Sequence, residues 1–378
     1  MADSTVQAGL EGVVAAASSI CTIDGQQGIL SYRGYDIRDL AEHATYEEVA
    51  HLLLMGELPD RDELDAFSEE LARRRAVPDA VFEMLAHLPR EAEPMELLRT
   101  GVSALAMYDP LSGQVTHEAA IEQALNLVAQ LPTLVAGIHW IRQGKTPPAV
   151  DRSRSVATSF LAMLKGHAPT SLEARTLDVA LTLHADHEFN ASTFAARVTA
   201  ATLSDMYSAV TSAIGALKGP LHGGANQRVM EMLQTVGDPE KAEAWVRAKL
   251  ERKEKIMGIG HRVYKTYDPR ARFLKEMSRQ LAEESGEDRW YRISDVVERV
   301  VIEELGEKAL YPNVDFFSGT CYYVMGIPTD LFTPIFAMSR ISGWAAHIVE
   351  QYDNNRLIRP RAEYIGPAPR TLVPIDQR

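Results

Sequence analysis

Gly215-Ala216-Leu217-Lys218-Gly219-Pro220-Leu221-His222-Gly223-Gly224-Ala225-Asn226 interrupts a chain that is otherwise patterned as helix. Proline and repeated glycine are poor helix-interior residues, so the helical pattern upstream has to stop here. Apolar residues recur at helical spacing over 46–55, 60–75, 93–107, 118–143, 153–165, 171–184 and 192–214 on one side. On the other side the same spacing runs over 227–234, 239–254, 269–284, 290–304 and 328–349. The breaks between these segments contain Pro, Gly or Asp, and Thr170-Ser171-Leu172-Glu173 has the form of a capping box. Strand-like alternation is confined to 19–23 and 29–32, which flank the turn-rich Asp24-Gly25-Gln26-Gln27-Gly28 and lead into a helix from Ile37. The fold class is therefore all-α with a short N-terminal β-hairpin.

Gly326 and Pro328 interrupt the chain a second time. At 378 residues the chain exceeds the size at which a single core stops growing, so two domains are expected. The two interruptions serve as hinges. Between them the segment carries 17 Lys/Arg and 18 Asp/Glu, whereas the rest carries 22 and 34. A near-neutral small domain at 220–326, inserted into an acidic large domain made of 1–219 and 327–378, accounts for this split. The last twenty residues hold four prolines and read as an extended arm.

The chain is 46% hydrophobic and 24% charged, as soluble globular proteins are, and its net charge is −13. An acidic surface excludes non-specific binding to nucleic acid or anionic membrane, but not a local basic pocket. Such a locality exists: residues 247–279 carry eleven Lys/Arg against four Asp/Glu. A solvated helix face is the plainer reading of that run. Cys21 and Cys321 are far apart, and neither belongs to a CxxC pair, so no disulfide scaffold or zinc knuckle is indicated. No Lys or Arg precedes Arg33, and Asp3 and Glu11 precede or interrupt the mildly apolar start. This resembles neither a secretory signal nor a mitochondrial presequence, and a cytoplasmic location is expected. Apolar stretches such as 131–141 are too short to span a bilayer.

Three familiar motifs fail. Gln143-Gly144-Lys145-Thr146 lacks the upstream glycine of a phosphate loop, since that position is His139. Gly258-Ile259-Gly260 lacks the third glycine of a dinucleotide fingerprint. His184 and His187 have metal-ligand spacing, but no third ligand follows in a zinc pattern, so no metal site is expected.

Four residues stand out for chemistry. His222 lies between glycines at the start of a helix, where a ligand can approach the backbone and where the imidazolium is disfavoured. A satisfied histidine in a tight turn is the alternative. His261 follows a second glycine loop, and Arg270 falls just after Pro269, which suits the first turn of the next helix. Arginine is the residue suited to bidentate carboxylate recognition. Asp315 lies among apolar and aromatic neighbours in Tyr311-Pro312-Asn313-Val314-Asp315-Phe316-Phe317. Burial would raise its pKa and make it a stronger base, and the alternative is a cap on the following helix.

GPLHGGAN at 219–226, GIGHRVYKTYDPR at 258–270 and PNVDFFSG at 312–319, in this order, resemble citrate synthase. HADHE at 184–188, FAMSR at 336–340 and Arg359-Pro360 fit the same pattern, and the resemblance runs from GLEGV at 9–13 to the C-terminal arm. It implies a citrate-synthase-like helical homodimer with the active site in a cleft between large and small domains. It also implies a transferase of the tricarboxylic acid cycle, which condenses acetyl-CoA with oxaloacetate to give citrate and free CoA. 2-Methylcitrate synthase, which uses propionyl-CoA, is the nearest alternative, because discrimination against one methylene is worth only about 1–3 kcal/mol. A citryl-CoA lyase-like domain and an inactive binding relative are more distant ones.

By the same resemblance, Asp315 takes a proton from the acyl carbon, His222 donates to the thioester oxygen, and His261 donates to the keto oxygen of oxaloacetate. His187, Arg270, Arg340 and Asn190 would hold the substrate, with Arg359 of the partner subunit completing the site. Arg356 and Arg361 compete for that last role, and Arg359 is chosen because it precedes proline. HADHEFN resembles the bacterial form of its motif, one residue shorter before the asparagine. Lys255, Ile256, Met257, Gly258 and Ile259 match the segment that holds CoA, and Arg73 or Arg74 is a further contact. No tightly bound cofactor is implied, acyl-CoA being a co-substrate.

Overall fold

Tyr32, at the end of the second strand, shows how the N-terminal hairpin earns its place in a helical protein. Strands β1 (Cys21–Asp24), β2 (Ile29–Tyr32) and β3 (Tyr35–Asp36) form an antiparallel sheet in that order, with Cys21 opposite Tyr32. The Tyr32 side chain is fully buried, and its hydroxyl donates to the carbonyl of Asp186 at 2.9 Å. The structure is a computed structural model that describes residues 6–378; Asp3 and the first five positions of the expected large domain lie outside the described residues.

Ten helices follow the sheet. They are α1 (Ile37–His43), α2 (Tyr46–Met55), α3 (Arg61–Arg74), α4 (Asp79–Ala86), α5 (Pro94–Leu105), α6 (His117–Arg142), α7 (Val156–Lys165), α8 (Ser171–His184), α9 (Ala191–Ala200) and α10 (Met206–Leu217). Their starts are chemically defined. Capping boxes pair Thr45 with Glu48, Asp60 with Glu63 and Thr170 with Glu173, each satisfying two backbone N–H groups that the helix cannot. The turn at 218–224 leads into α11 (Ala225–Val236), α12 (Pro239–Glu251), α13 (Ala271–Ser285), α14 (Arg289–Leu305) and α15 (Val314–Val324). After Gly326 the chain enters α16 (Phe332–Asp353) and ends in an exposed arm.

The core is built on α16. Apart from Glu350 and Asp353, every residue of this helix is buried, as expected of a helix that is apolar on all faces. It packs on α6, α9, α10, α2 and α8. Helix α6 also passes the length and composition test for a membrane span, but most of it is buried against α3, α5, α7 and α16. The expectation that the apolar stretches were too short is corrected by the length of this helix, which is instead a helix buried inside the fold. Helices α11 to α15 pack on one another, with α13 on α15, α12 on α14 and α11 on α15. They touch the other helices where α13 and α15 meet α8 and where α11 meets α16.

Three expectations about elements need correction. The helix expected over 192–214 is two helices, broken at Thr202–Asp205, where Leu203 has φ +62° and Asp205 caps α10 through Ser208 N–H. Helix α4 was not foreseen, being only eight residues long. Helix α15 was anticipated only as the helix that Asp315 might cap, because Ser318-Gly319-Thr320 interrupts its apolar spacing.

Candidate active site

Two buried arginines dominate the electrostatics. Arg340, on α16, donates through Nε to the carbonyl of His184 at 2.6 Å, and its guanidinium lies 4.7 Å from the Phe336 ring centroid. Its Nη1 is buried without a hydrogen-bond partner, and among the described residues no carboxylate pairs with it. Burial lowers its pKa against the opposing pull of the Asp186 carboxylate, so the charge is held at a cost that a bound anion would reduce. Close approach of α16 to this region depends on Gly343, where a Cβ would lie 2.3 Å from the Ala185 carbonyl oxygen. Arg270, just before α13, is paired with Asp268 through Nε at 3.0 Å and Nη2 at 2.8 Å. Asp268 also accepts the Val314 N–H at 3.1 Å, which ties the pair to the start of α15.

The turn after α8 carries His187, which is buried, and its Nε2 lies 3.2 Å from the Tyr264 hydroxyl. Its ring meets that of His261 edge-on, with centroids 5.3 Å apart. Burial, then Arg270, holds the His187 pKa well below the ordinary value. His261 accepts the backbone N–H groups of Val263 (3.1 Å) and Tyr264 (3.2 Å) at Nδ1. Its single proton in the neutral form is therefore on Nε2, available to a ligand. Burial and Arg270 push its pKa down to about 4, so the neutral donor is the state present at pH 7.

His222 lies in the turn between α10 and α11, and at Nε2 it faces Ser192, accepting the backbone N–H at 3.3 Å with the hydroxyl oxygen at 2.8 Å. The Ser192 hydroxyl accepts in turn from the Trp344 indole N–H at 3.1 Å. With Nε2 an acceptor, the proton is on Nδ1. The pKa falls to about 4 through burial first and Arg340 second, a different cause from the helix terminus that the sequence suggested.

Asp315 occupies the first turn of α15, but it is not the cap. Asn313 caps the helix by accepting the Asp315 N–H at 3.0 Å, which removes the structural alternative raised by the sequence. Asp315 is half-buried, and its Oδ1 is buried with no hydrogen-bond partner. Burial raises its pKa to about 6 against the opposing pull of Arg270. Arg270 and Arg340 act electrostatically on both Asp315 and His187, and Arg340 acts on His222, so these side chains share one site. Together they offer a poised base, two neutral N–H donors and two cationic anchors.

The segment 255–259 is fixed by backbone pairing to the strip that leads into α15. Gly260 N–H donates to Tyr311, Asn313 N–H donates to Gly258, and Ile259 bridges Pro312. Gly258 has φ +76°, and a Cβ there would come within 2.7 Å of Val229 Cγ2. Ile256 is buried and Lys255 is exposed. Much of the basic run is already engaged: Arg247, Lys249, Arg252, Lys275 and Arg279 are in ion pairs, whereas Lys253 and Lys255 are in none among the described residues.

Asn190 caps α9, its side chain accepting from Ser192 and Thr193 N–H and donating to Thr193 Oγ1 at 2.9 Å. Arg73 and Arg74 are likewise engaged, pairing with Glu70, and Arg74 with Glu122 as well. Arg359 is exposed on the arm and makes no hydrogen bond or ion pair within the described chain. Among the described residues no group of three His, Cys, Asp or Glu side chains is arranged to hold a metal ion. Sequence reasoning missed Ser192, Tyr264, Asp268 and Trp344. Of these, only Asp268, two residues before Arg270, offered a signal.

A family model described as citrate synthase, C-terminal domain, matches residues 9–361. The chain belongs to the citrate synthase family. It is 51% identical over 375 residues to citrate synthase 2 of Bacillus subtilis, covering 99% of this chain and all of that one. It is 46% identical to a 2-methylcitrate synthase of Shewanella oneidensis, covering 98% of each. Among solved structures, a citrate synthase of Thermoplasma acidophilum in ternary complex with carboxymethyl coenzyme A and oxaloacetate superposes with a TM-score of 0.90 at 37% identity, covering 99% of both chains. The mostly helical fold with its N-terminal hairpin, expected from the residue pattern and in keeping with the resemblance, is the one observed.

Proposed function

We propose that the chain condenses acetyl-CoA with oxaloacetate to give citrate and free CoA. The observation that carries this reading is Asp315, a carboxylate of raised pKa with a buried, unpartnered oxygen, in the same site as two histidines whose outward N–H is fixed by the protein. A carboxylate alone is too weak to deprotonate a carbon beside a thioester. The charge that develops on the thioester oxygen has to be met by a preorganised donor as it forms. His222 Nδ1–H supplies that donor, and Asp315 takes the proton. The enol then attacks the keto carbon of oxaloacetate while His261 Nε2–H donates to the keto oxygen, and hydrolysis of the resulting thioester releases CoA.

Arg340, whose Nη1 is buried without a hydrogen-bond partner, binds a substrate carboxylate together with Arg270 and His187. Arg359 of the partner subunit completes the clamp in a homodimer. The backbone of residues 255–259 holds CoA, and Lys253 and Lys255 meet its phosphates. Residues 220–326 act as a small domain that closes over the large one, supported by the Gly-Pro interruptions at both ends and by the mutual packing of α11 to α15. The enzyme works in the cytoplasm without a tightly bound cofactor.

A second reading, 2-methylcitrate synthesis from propionyl-CoA, is favoured by one observation, the 46% identity to a 2-methylcitrate synthase. Steady-state thiol release with each acyl-CoA at saturating oxaloacetate separates the two. A kcat/KM several-fold higher for propionyl-CoA would reverse the assignment.

A further inference from the structure

Tyr264 touches three residues of the site, and nothing in the proposed chemistry yet uses it. It is 1% exposed, and its ring lies 4.7 Å from that of His261 and 5.7 Å from the Arg270 guanidinium. Its backbone N–H donates to His261 Nδ1. Its hydroxyl has one hydrogen-bond partner, His187 Nε2 at 3.2 Å. A buried phenol with a single partner satisfies its O–H only by donating to it, because an undonated buried O–H costs about 1–3 kcal/mol. Nε2 of His187 is then an acceptor, and the proton of the neutral ring is on Nδ1, which has no hydrogen-bond partner among the described residues.

We propose that Tyr264 is a positioning residue that sets the tautomers of two active-site histidines at once. Its backbone N–H helps to fix His261 with the proton on Nε2, and its hydroxyl fixes His187 with the proton on Nδ1. His187 is thereby held as a neutral donor toward an anionic or carbonyl oxygen of the substrate. The inference deepens the proposed condensation by naming what orients one of its substrate contacts, and to that extent it rests on that reading.

The test is nitrogen-15 NMR of histidine-labelled protein at pH 7, in the wild type and in Tyr264→Phe, which keeps the ring against His261 and removes only the hydroxyl. In the wild type the His187 signal is expected to show a protonated Nδ1 and an accepting Nε2. In Tyr264→Phe it is expected to shift toward the Nε2–H form, while His261 keeps its Nε2–H pattern as an internal check on the fold. KM for oxaloacetate is expected to rise about ten-fold with kcat changed much less, the size of one lost hydrogen bond to a charged acceptor. A wild-type His187 already protonated at Nε2 overturns the inference without any variant, so a Tyr264→Phe protein that fails to fold does not shield it. An unchanged His187 pattern in a folded variant overturns it as well. CoA release from acetyl-CoA and oxaloacetate is measured on the same wild-type preparation. Its absence would remove the proposed activity and leave the tautomer assignment standing.

Discussion

At the scale of single residues, the site consists of groups held in states that cost the fold something. Asp315 is the clearest case. Its pKa is raised to about 6 from an ordinary value near 3.8, so the folded protein binds that proton more tightly than the unfolded chain does. The sign follows: ionised Asp315 opposes folding in full above about pH 6, and the penalty shrinks as pH falls from about 6 to 4 and is gone below that. Asp315→Asn is therefore expected to gain about 1–2 kcal/mol in denaturant unfolding at pH 7, to show no gain near pH 3.5, and to release no CoA. As general base, Asp315 must be ionised, so kcat/KM of the wild type is expected to fall as pH drops through about 6. Arg340 stores a complementary penalty. Arg340→Leu is expected to weaken oxaloacetate binding about 100-fold, roughly 3 kcal/mol, and to abolish the thermal shift that oxaloacetate gives the wild type. The identities of His222, His261 and Asp315 were legible in the sequence, but each was ambiguous alone. Their partners were not legible, because Ser192 is 30 residues from His222 and Tyr264 is 77 from His187.

At the scale of elements, two short backbone devices hold the chemistry in register. One is the Asn313 cap, which places Asp315 in the first turn of α15 rather than at the helix boundary. Asn313→Ala is expected to cost about 1 kcal/mol in chemical denaturation and to lower kcat more than that loss alone would suggest, since the base moves with the helix start. The other is Gly258, whose positive φ and close neighbours Val229 and Phe316 leave no room for a side chain. Gly258→Ala is expected to destabilise by about 1–3 kcal/mol and to raise KM for acyl-CoA, read from unfolding midpoints and steady-state kinetics. Most helices could be read from apolar periodicity and their caps, as Thr170 and Glu173 illustrate. The extent of helix α15 could not, because Ser318-Gly319-Thr320 separates Phe316-Phe317 from Tyr322-Tyr323 and breaks the apolar spacing. The break at Leu203 was missed for a related reason, since apolar spacing continues across it and only Asp205 marks the new start.

At the scale of the whole molecule, α11 to α15 pack mainly on one another and touch α8 and α16 over a limited surface, and the exposed C-terminal arm is the feature that a monomeric reading leaves without a purpose. Charge composition hinted at the first, and the four prolines hinted at the second, but neither pattern specifies a partner surface. If Arg359 acts in the partner's site, mixing Asp315→Ala with Arg359→Ala subunits restores one complete site in each hybrid dimer. Random reassociation is then expected to recover about a quarter of wild-type activity from two inactive parents, and no recovery would place Arg359 in its own subunit's site or outside the site altogether. The claim on which everything else depends is that one carboxylate and two neutral histidines perform a condensation. Free-CoA release with acetyl-CoA and oxaloacetate, comparing wild type with Asp315→Ala, tests it most directly. Release is expected only when both substrates are present, and only from the wild type. Near-full release by Asp315→Ala, or none by the wild type with either acetyl-CoA or propionyl-CoA, would contradict it.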